Sequence, residues 1–304
     1  MPYSRTTFPD LYLAMLANLK AVGDDTYDRV PKVFRQFYYH YGPDQIKGST
    51  INFTSQSGLG LFSTVAELAD IPFDTPVQGY DKLVTPLKYG LRVRISDKSF
   101  DDDQLGKTRG FFEQLAISAA EDQESKLAGL FNNGFTTTET SADGLAIFSG
   151  VHTTPKAGTY LNTPATAADL SMSSLEQATI DTGNLIDDSG KRMQMKFKWL
   201  VVPTEFEWLG KRLLGSEGLP QTANRDINPA FQILTLVKSE YLTDLDAFFM
   251  VANPFPTGAI LAEKKSLSLE TQRTIIAQYT DTAQSYRWLP SMIDPRGWYG
   301  NPGA

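Results

Sequence analysis

One long helical stretch constrains this chain more than any other part of its sequence. Residues 99–135 read SFDDDQLGKTRGFFEQLAISAAEDQESKLAGLFNNGF. Asp101, Asp102 and Asp103 offer N-caps and negative charge where a helix dipole is positive, and Asn132, Asn133 and Gly134 tolerate the left-handed backbone that ends a helix. About 28 residues at 1.5 Å rise predict a rod about 40 Å long. A helix of this length is typical of a structural spine.

Apolar residues recur along this predicted helix at helical spacing, and charged residues fill most of the positions between them. The apolar positions are Leu105, Phe112, Leu115, Ala116, Ala119, Leu127 and Leu130. The charged positions include Arg109, Glu113, Glu121 and Lys126. The pattern predicts one face in a core and one polar face.

Composition indicates a globular protein. The 304 residues are 41% hydrophobic and 12% aromatic, which is ample for a core and argues against disorder. A net charge of −7 disfavours a general nucleic-acid binder, although it permits a protein that encloses nucleic acid. The absence of cysteine removes disulfides, thiolate catalysis and the common structural zinc sites.

The N-terminal part predicts a helix followed by an arm. Residues 9–21 form an apolar run that is too short and interrupted for a signal peptide or a membrane span, and Gly23 is expected to end the helix. Residues 27–48 carry many aromatic rings without clear periodicity. Such an arm would be costly to leave in water, so we expect it to cover either its own core or a neighbouring subunit.

Strict alternation predicts a strand at residues 87–96, where Leu87, Tyr89, Leu91, Val93 and Ile95 alternate with polar residues or glycine. A weaker pattern predicts an outgoing strand at residues 57–68, with a wide turn at residues 69–79 between the two. The pair would form a long hairpin. Because isolated two-stranded ribbons are marginal in water, we expect it to rest on another chain.

Charged residues are distributed unequally along this predicted hairpin. The acidic residues near its tip are Glu67, Asp70 and Asp74, and the basic residues on its return side are Lys82, Lys88, Arg92 and Arg94. Two interpretations stay open: ion pairs that fix the register of a contact with another chain, or solvated faces.

The remainder of the chain predicts an α+β lobe. Helices are expected at residues 171–186 and 204–214, and strands at 198–202, 231–237 and 246–252. Further apolar stretches lie at residues 258–262, 274–279 and 286–292. The basic run at residues 191–198 could touch nucleic acid, but strand alternation with Lys196 and Lys198 facing water explains it better.

No catalytic, cofactor-binding or metal-binding residue is predicted. His152 lies near Ser149, but no nucleophile elbow supports catalysis, so we expect His152 to anchor a turn and His40 to pack among tyrosines. The acidic runs at residues 101–103 and 187–188 lack calcium-loop spacing, and helix capping explains them.

Several segments, taken in order, resemble the major capsid proteins of tailed bacteriophages, most closely the Mu-like major head subunit group. The segments are VAELADIPF at 65–73, GYDK at 79–82, YGLRVRIS at 89–96, DDDQLG at 101–106, LFNNGF at 130–135, DGLAIFSGVH at 143–152, LVVP at 200–203, YLTDLDAFF at 241–249 and DPRGWY at 294–299. They cover nearly the whole chain, and their joint order and spacing carry the likeness.

The resemblance implies an α+β fold of the HK-ninety-seven type. Its expected parts are an N-terminal arm at residues 1–50, an extended E-loop hairpin at 51–98, a P-domain spine helix at 99–135, an A-domain at 136–255 and a return to the P-domain at 256–304. The start at Met1 resembles relatives whose scaffold is a separate protein, unless the chain was trimmed.

The resemblance also implies a structural function. Subunits would assemble into hexamers and pentamers of an icosahedral virion shell, formed in the host cytoplasm around double-stranded DNA that is bound without sequence specificity. Separate scaffolding, portal and optional decoration proteins are the implied partners, with no membrane partner. We expect the face of residues 87–95 to cross a neighbour's spine helix through ion pairs from Arg92 and Arg94, so Arg109, Glu113, Glu121 and Lys126 would lie partly in an interface.

Two alternatives stay open at this point. A tail-tube or sheath subunit would also polymerise, but normally through β-rich rings without so long a helix. A carbohydrate-active enzyme would need two convergent carboxylates in a deep cleft, one with a perturbed pKa.

Overall fold

The computed structural model describes residues 21–96, 98, 107–156, 158–218, 227–274 and 276–304. The helices are α1 (residues 21–29), α2 (Lys107–Asn132), α3 (Met172–Gly183) and α4 (Glu207–Gly215), with 3-10 turns at Phe34–Phe37, Pro43–Gln45, Thr204–Phe206 and Pro295–Gly297. The strands are β1 (Tyr39–Tyr41), β2 (Ile51–Gln56), β3 (Gln78–Val84), β4 (Leu87–Ser96), β5 (His152–Thr153), β6 (Thr159–Tyr160), β7 (Phe197–Val202), β8 (Thr235–Lys238), β9 (Phe248–Ala252), β10 (Ala259–Thr274), β11 (Tyr279–Met292) and β12 (Trp298–Asn301). Among these helices, none combines the length and hydropathy that a bilayer crossing requires.

Two four-stranded sheets organise the chain. The first has the order β1-β10-β11-β4, in which β1 is parallel to β10 and the other pairs are antiparallel. The second has the order β12-β9-β7-β8, with β7 parallel to β8 and antiparallel to β9. With the helices they form the α+β architecture that the sequence predicts.

The spine helix α2 packs one face into the main core, as its apolar periodicity predicts. The buried positions on it are Phe112, Leu115, Ala116, Ala120, Leu127, Ala128, Leu130 and Phe131. The ring of Phe131 stacks on Trp298 with 4.0 Å between centroids, and it contacts Phe34 and Phe249. The helix therefore joins residues from both ends of the described chain in one core.

The aromatic arm covers its own chain. Phe34, Phe37 and Tyr38 are buried, and the hydroxyl of Tyr38 donates to the carbonyl of Leu127 at 2.6 Å. The carboxylate of Glu124 on the spine helix accepts the backbone N–H groups of Val33 and Phe34, each at 2.9 Å. Of the two expected locations for the arm, its own core is confirmed.

The prediction of the hairpin was wrong in its pairing. Strand β4 forms at the predicted residues, but it pairs with β11 along its whole length, and no strand forms at residues 57–68. The hairpin consists instead of β2 and β3, with residues 57–77 between them. Alternation marks a strand and its faces, but it carries no information about which strand pairs with it.

Other boundaries differ at several places. Gly23 lies inside helix α1 and does not end it, while residues 9–20 and the predicted caps at 101–103 lie outside the described residues. The strand predicted at residues 231–237 begins only at Thr235, as β8. Residues 276–278, from the apolar stretch noted at 274–279, lie in the turn between β10 and β11. The C-terminal strand β12 pairs with β9, so it belongs to the second sheet.

The capping serine and the short buried strand of the second lobe are confirmed. Ser171 accepts the backbone N–H of Ser174 at 3.2 Å as the N-cap of α3. Strand β7 is buried at Trp199 through Val202, while Lys196 and Lys198 face water as predicted.

Candidate interaction surface

An irregular excursion, residues 58–76, leaves the body of the molecule between β2 and β3. Its neck is closed by two hydrogen bonds, from the Ser57 N–H to the Val77 carbonyl at 2.9 Å and from the Val77 N–H to the Ser57 hydroxyl at 2.8 Å. Ser57 is buried, whereas the residues beyond it are exposed. The excursion is thus a separate surface on a fixed base.

Large apolar side chains of the excursion lie in solvent. The exposed fractions are 83% for Leu61, 106% for Phe62, 102% for Leu68, 83% for Ile71 and 91% for Phe73. Single exposed apolar residues are normal, but a contiguous group of this kind marks an interaction surface. The sequence analysis did not single out these side chains, because it assigned Leu61, Phe62 and Leu68 to a strand of the chain's own hairpin and Ile71 and Phe73 to the turn that follows it.

Contacts with two other loops hold the base of the excursion. Asp74 accepts the Gly60 N–H at 2.6 Å and forms an ion pair with Lys156, whose ammonium also donates to the Thr75 carbonyl at 3.3 Å. The hydroxyl of Ser189 donates to the Leu59 carbonyl at 3.3 Å. The hydrogen bond from Gly60, followed by that from Lys156, lowers the pKa of the Asp74 carboxyl, which therefore stays ionised.

The hairpin below the neck is anchored on the body. The Tyr80 hydroxyl contacts the Thr153 hydroxyl at 2.7 Å. Lys82 donates to the carbonyls of Thr140 and Met292, the latter at 2.9 Å, and burial lowers the pKa of its ammonium. A Cβ at Gly79 would lie 2.1 Å from the Ser55 hydroxyl, so a side chain there would have to displace this hydroxyl, which accepts the Tyr80 N–H at 2.8 Å. These contacts fix the position of the hairpin, and therefore that of the base of the excursion.

The charged residues predicted for assembly lie in different environments. Glu67 and Asp70 are exposed on the excursion, and Lys88 is exposed on β4. Asp74 and Lys82 are engaged within their own chain, as described above. Arg92 and Arg94 contact Asp281 on the neighbouring strand β11 of the same chain, with shortest distances of 3.5 Å and 2.8 Å.

The predicted polar residues of the spine helix are also dispersed. The side chain of Arg109 lies outside the described part, and Glu121 is exposed. Glu113 is half-buried and has an interaction partner. Lys126 pairs with Asp122 and lies over the ring of Tyr89, 4.2 Å from its centroid. The structure of one chain therefore does not gather the predicted assembly residues into a single cluster.

His152 anchors a turn, as predicted. Its ring is fully buried, with Nδ1 2.7 Å from the Asp143 carboxylate and Nε2 3.2 Å from the Asn162 side-chain oxygen. The prediction for His40 was wrong: its Nε2 lies 2.5 Å from the Glu263 carboxylate. Strand β1 places Tyr39 and Tyr41 on one face and His40 on the other, so the imidazole faces away from the tyrosines.

Four buried or half-buried carboxyl groups have structural partners in the chain. Burial raises the pKa of Glu124, which receives the arm's N–H groups, and that of Asp294, which accepts the backbone N–H and the guanidinium of Arg296. Asp188 also pairs with Arg296, and Asp187 accepts the N–H groups of Ser189 and Lys191. Over the described ranges, no group of three or more His, Asp or Glu side chains is placed to hold a metal ion.

Comparison with known proteins identifies one family. The family model described as phage capsid protein matches residues 79–301, which include the spine helix, the second sheet and every strand of the first sheet except β1. No curated protein sequence matches the chain.

Solved structures with a similar fold come from several viruses. A structure from Mycobacterium phage Che8 is 15% identical over 90% of this chain and 93% of its own, with a TM-score of 0.53. The capsid of cyanophage P-SCSP1u is 12% identical over 89% of this chain and 87% of its own, with a TM-score of 0.56. The bacteriophage JBD30 capsid is 14% identical over 70% of this chain and 92% of its own, with a TM-score of 0.57. At these identities the likeness establishes the HK-ninety-seven-like fold.

Proposed function

The chain belongs to the phage capsid protein family and is a structural subunit of a virion shell, and from this premise we propose that its copies join into the hexamers and pentamers of an icosahedral shell through the excursion at residues 58–76. Membership of the Mu-like group stays a prediction.

The observation that carries this proposal is the exposed apolar surface of the excursion. Burying a large apolar side chain contributes about 1.5–3 kcal/mol, so Leu61, Phe62, Leu68, Ile71 and Phe73 together supply a driving force on the order of 10 kcal/mol before the costs of association. The anchored neck limits the conformational entropy that docking has to remove. A subunit with a pre-positioned apolar arm is suited to repeated contacts with copies of itself.

The parts of the proposed capsid subunit follow the fold. We assign residues 1–50 to the N-terminal arm, 51–98 to the E-loop, 99–135 to the spine of the P-domain, 136–255 to the A-domain and 256–304 to the return to the P-domain. The first sheet supports the P-domain assignment of residues 256–304, since β10 pairs with the arm strand β1 and with β11. The pairing of β4 with β11 also supports joining residues 87–96 of the E-loop segment to that sheet. Strand β12 supports one change: its pairing with β9 places residues 298–301 in the A-domain.

The net charge of the chain and the function of a shell suggest what the shell encloses and which proteins it contacts. A net charge of −7 suits an inner wall that encloses densely packed double-stranded DNA without binding its sequence. We further propose a separate scaffolding protein, a portal and optional decoration proteins as partners, assembly in the host cytoplasm, and no catalytic activity.

Electron microscopy of the purified protein tests the proposal. We expect closed shells or isolated capsomers from the native chain. Tubes would favour the tail-tube alternative, and small discrete particles at all concentrations would overturn the proposal.

A substituted variant tests whether the excursion makes the contact between subunits. The triple substitution Leu61→Ser, Phe62→Ser and Phe73→Ser should leave the circular dichroism spectrum unchanged and abolish shells. The matched control, Ser63→Thr, alters the same segment without changing its apolar surface and should assemble normally. Normal shells from the triple variant would show that the excursion does not join subunits.

A further inference from the structure

A basic ridge, formed by the side chains of Arg192, Lys196 and Lys198, crosses the surface of the second lobe. The segment 191–198 reads KRMQMKFK, and burial alternates along it: these three cations and Gln194 are exposed, while the residues between them are half-buried. A period of two is that of an extended chain, in which alternate side chains share a side. Phe197 packs against the core of the second lobe, so the segment is fixed while its cations face water.

The three cations of the ridge are not neutralised within the chain. Lys191, which precedes them, pairs with Asp187 at 3.5 Å. Across the described ranges, by contrast, no carboxylate lies within ion-pair distance of Arg192, Lys196 or Lys198. The ridge is therefore a local concentration of positive charge on a chain whose net charge is −7.

Neutral neighbours orient two of these cations. The guanidinium of Arg192 donates to the side-chain oxygen of Asn184 at 2.7 Å, and the ammonium of Lys198 lies 4.4 Å from the centroid of the Trp199 ring. An amide and an indole carry no net charge, so they position the cations without cancelling them. The ridge thus keeps its charge available for a partner.

The length of the ridge suits a phosphate backbone. Six residue steps of about 3.3 Å separate positions 192 and 198, which gives about 20 Å. Over that length of axis, each strand of double-stranded DNA carries about six phosphates, one per about 3.4 Å. Each of the three cations can consequently meet a phosphate of one strand.

We propose that the basic ridge binds the phosphate backbone of double-stranded DNA and forms a contact between the shell and the DNA inside it. This inference rests on the proposed function, which places DNA within the shell, and it names the residues that touch the DNA. Arginine and lysine contacts to phosphate carry no sequence information, so the ridge accepts any sequence. The net charge of −7 disfavours DNA elsewhere on the surface, so the contact stays local and weak.

Charge density favours DNA over an acidic protein as the partner. Double-stranded DNA has one negative charge per about 1.7 Å of axis, whereas an extended polypeptide carries at most one per about 3.3 Å. The exposed side of the ridge is also polar throughout, with Gln194 between the cations, while its apolar residues are half-buried. It therefore lacks the apolar centre that is typical of a protein–protein interface.

A matched pair of variants tests the ridge in unassembled subunits. The ridge variant carries Arg192→Gln, Lys196→Gln and Lys198→Gln. The control removes the same number of charges from exposed residues elsewhere, through Lys47→Gln, Lys98→Gln and Arg212→Gln. All six side chains are exposed, so both variants should keep the native circular dichroism spectrum.

The measurement is the fluorescence anisotropy of a short random-sequence DNA duplex at several salt concentrations. We expect the ridge variant to bind at least about tenfold more weakly at low salt, and its slope of log affinity against log salt to fall by about 2.7, since each phosphate contact contributes about 0.9. The control should lose no more than about twofold, through its net charge alone. Equal losses in the two variants would overturn the proposal.

Lysine labelling of the native chain locates the contact without any substitution. With saturating DNA at low salt, an amine-reactive reagent should modify Lys196 and Lys198 several-fold more slowly than without DNA, while Lys47 reacts at an unchanged rate. Unchanged labelling of Lys196 and Lys198 would contradict the proposal.

A competitor separates DNA from an acidic protein as the partner. Polyglutamate should displace the duplex only at a charge concentration several-fold above that of unlabelled DNA, because its charges are more widely spaced. Displacement at equal charge concentration would overturn the assignment to DNA. A native chain that forms no shells would instead contradict the proposed function, whatever its affinity for DNA.

Discussion

Arg94 and Asp281 lie directly opposite each other on strands β4 and β11 and form a paired contact, with Nε 2.8 Å and Nη2 3.0 Å from the two carboxylate oxygens. Hydrogen bonding from Arg94 lowers the pKa of the Asp281 carboxyl, so the pair stays charged at neutral pH. A cation that the sequence analysis assigned to a neighbouring subunit is therefore used to join two strands of one chain.

The first prediction concerns this pair. Arg94→Glu should slightly lower the thermal unfolding temperature of the unassembled subunit, because it puts two like charges opposite each other. Adding Asp281→Arg should restore much of the loss by reversing the pair. Calorimetry of subunits kept apart by dilution measures both variants; an Arg94→Glu subunit as stable as the native one would show that the pair contributes nothing within the chain.

The alternation at residues 87–96 predicts a strand but not its partner. A period of two indicates that successive side chains face opposite sides of a strand. The pattern depends only on residues that are close in the sequence. Its partner β11 begins at Tyr279, far along the chain, and only the assembled sheet determines that pairing. The nearest β-like segment, residues 57–68, was the natural expectation and was wrong.

The spine helix and the arm were more accessible to prediction. Phe112, Leu115 and Leu127 repeat at helical spacing, and the structure buries them as expected. The aromatic residues of the arm required cover, which the spine helix provides. The apolar surface of the excursion could not be located from the sequence. Phe131 lies in the core and Phe62 in solvent, but both are phenylalanines whose neighbours in the sequence are similarly apolar.

This contrast gives the second prediction. Phe131→Ala removes a fully buried ring and should lower the free energy of unfolding by about 3–5 kcal/mol. Phe62→Ala removes a fully exposed ring and should change it by no more than about 0.5 kcal/mol, while reducing shell formation. Urea unfolding of unassembled subunits and sedimentation of shells measure the two effects. Equal destabilisation by both substitutions would mean that Phe62 is packed in the subunit.

The third prediction concerns the base of the excursion. Lys156→Ala removes the ion pair to Asp74 and the hydrogen bond to the Thr75 carbonyl, so the excursion loses a tether while the core is untouched. Proteases should cut residues 58–76 several-fold faster in unassembled subunits, with little change in global unfolding. Lys88→Ala, an exposed lysine elsewhere, is the control and should leave the cleavage rate unchanged. Equal rates for the two variants would show that Lys156 does not restrain the excursion.

The contact between Asp143 and His152 has a consequence for acid stability. Burial alone would raise the pKa of the Asp143 carboxyl, but hydrogen bonds from His152, Ser141 and the Leu145 N–H outweigh it and hold the pKa below the ordinary value of 3.8. A carboxyl with a lowered pKa in the folded state stabilises that state above its unfolded pKa. This contribution is lost as the pH falls from about 4 towards the folded pKa.

The fourth prediction follows from this loss of stability at low pH. Asp143→Asn should lower the free energy of unfolding by about 1–3 kcal/mol at neutral pH, because buried donors lose their ionised acceptor. Between about pH 5 and pH 3 the native subunit should lose stability more steeply than the variant, since the amide does not titrate. Other carboxyls with lowered pKa values, such as Asp281 and Glu263, are shared by both proteins and cancel in the comparison. Urea titrations at a series of pH values measure the two slopes, and parallel slopes would show that Asp143 is not ionised against its buried partners.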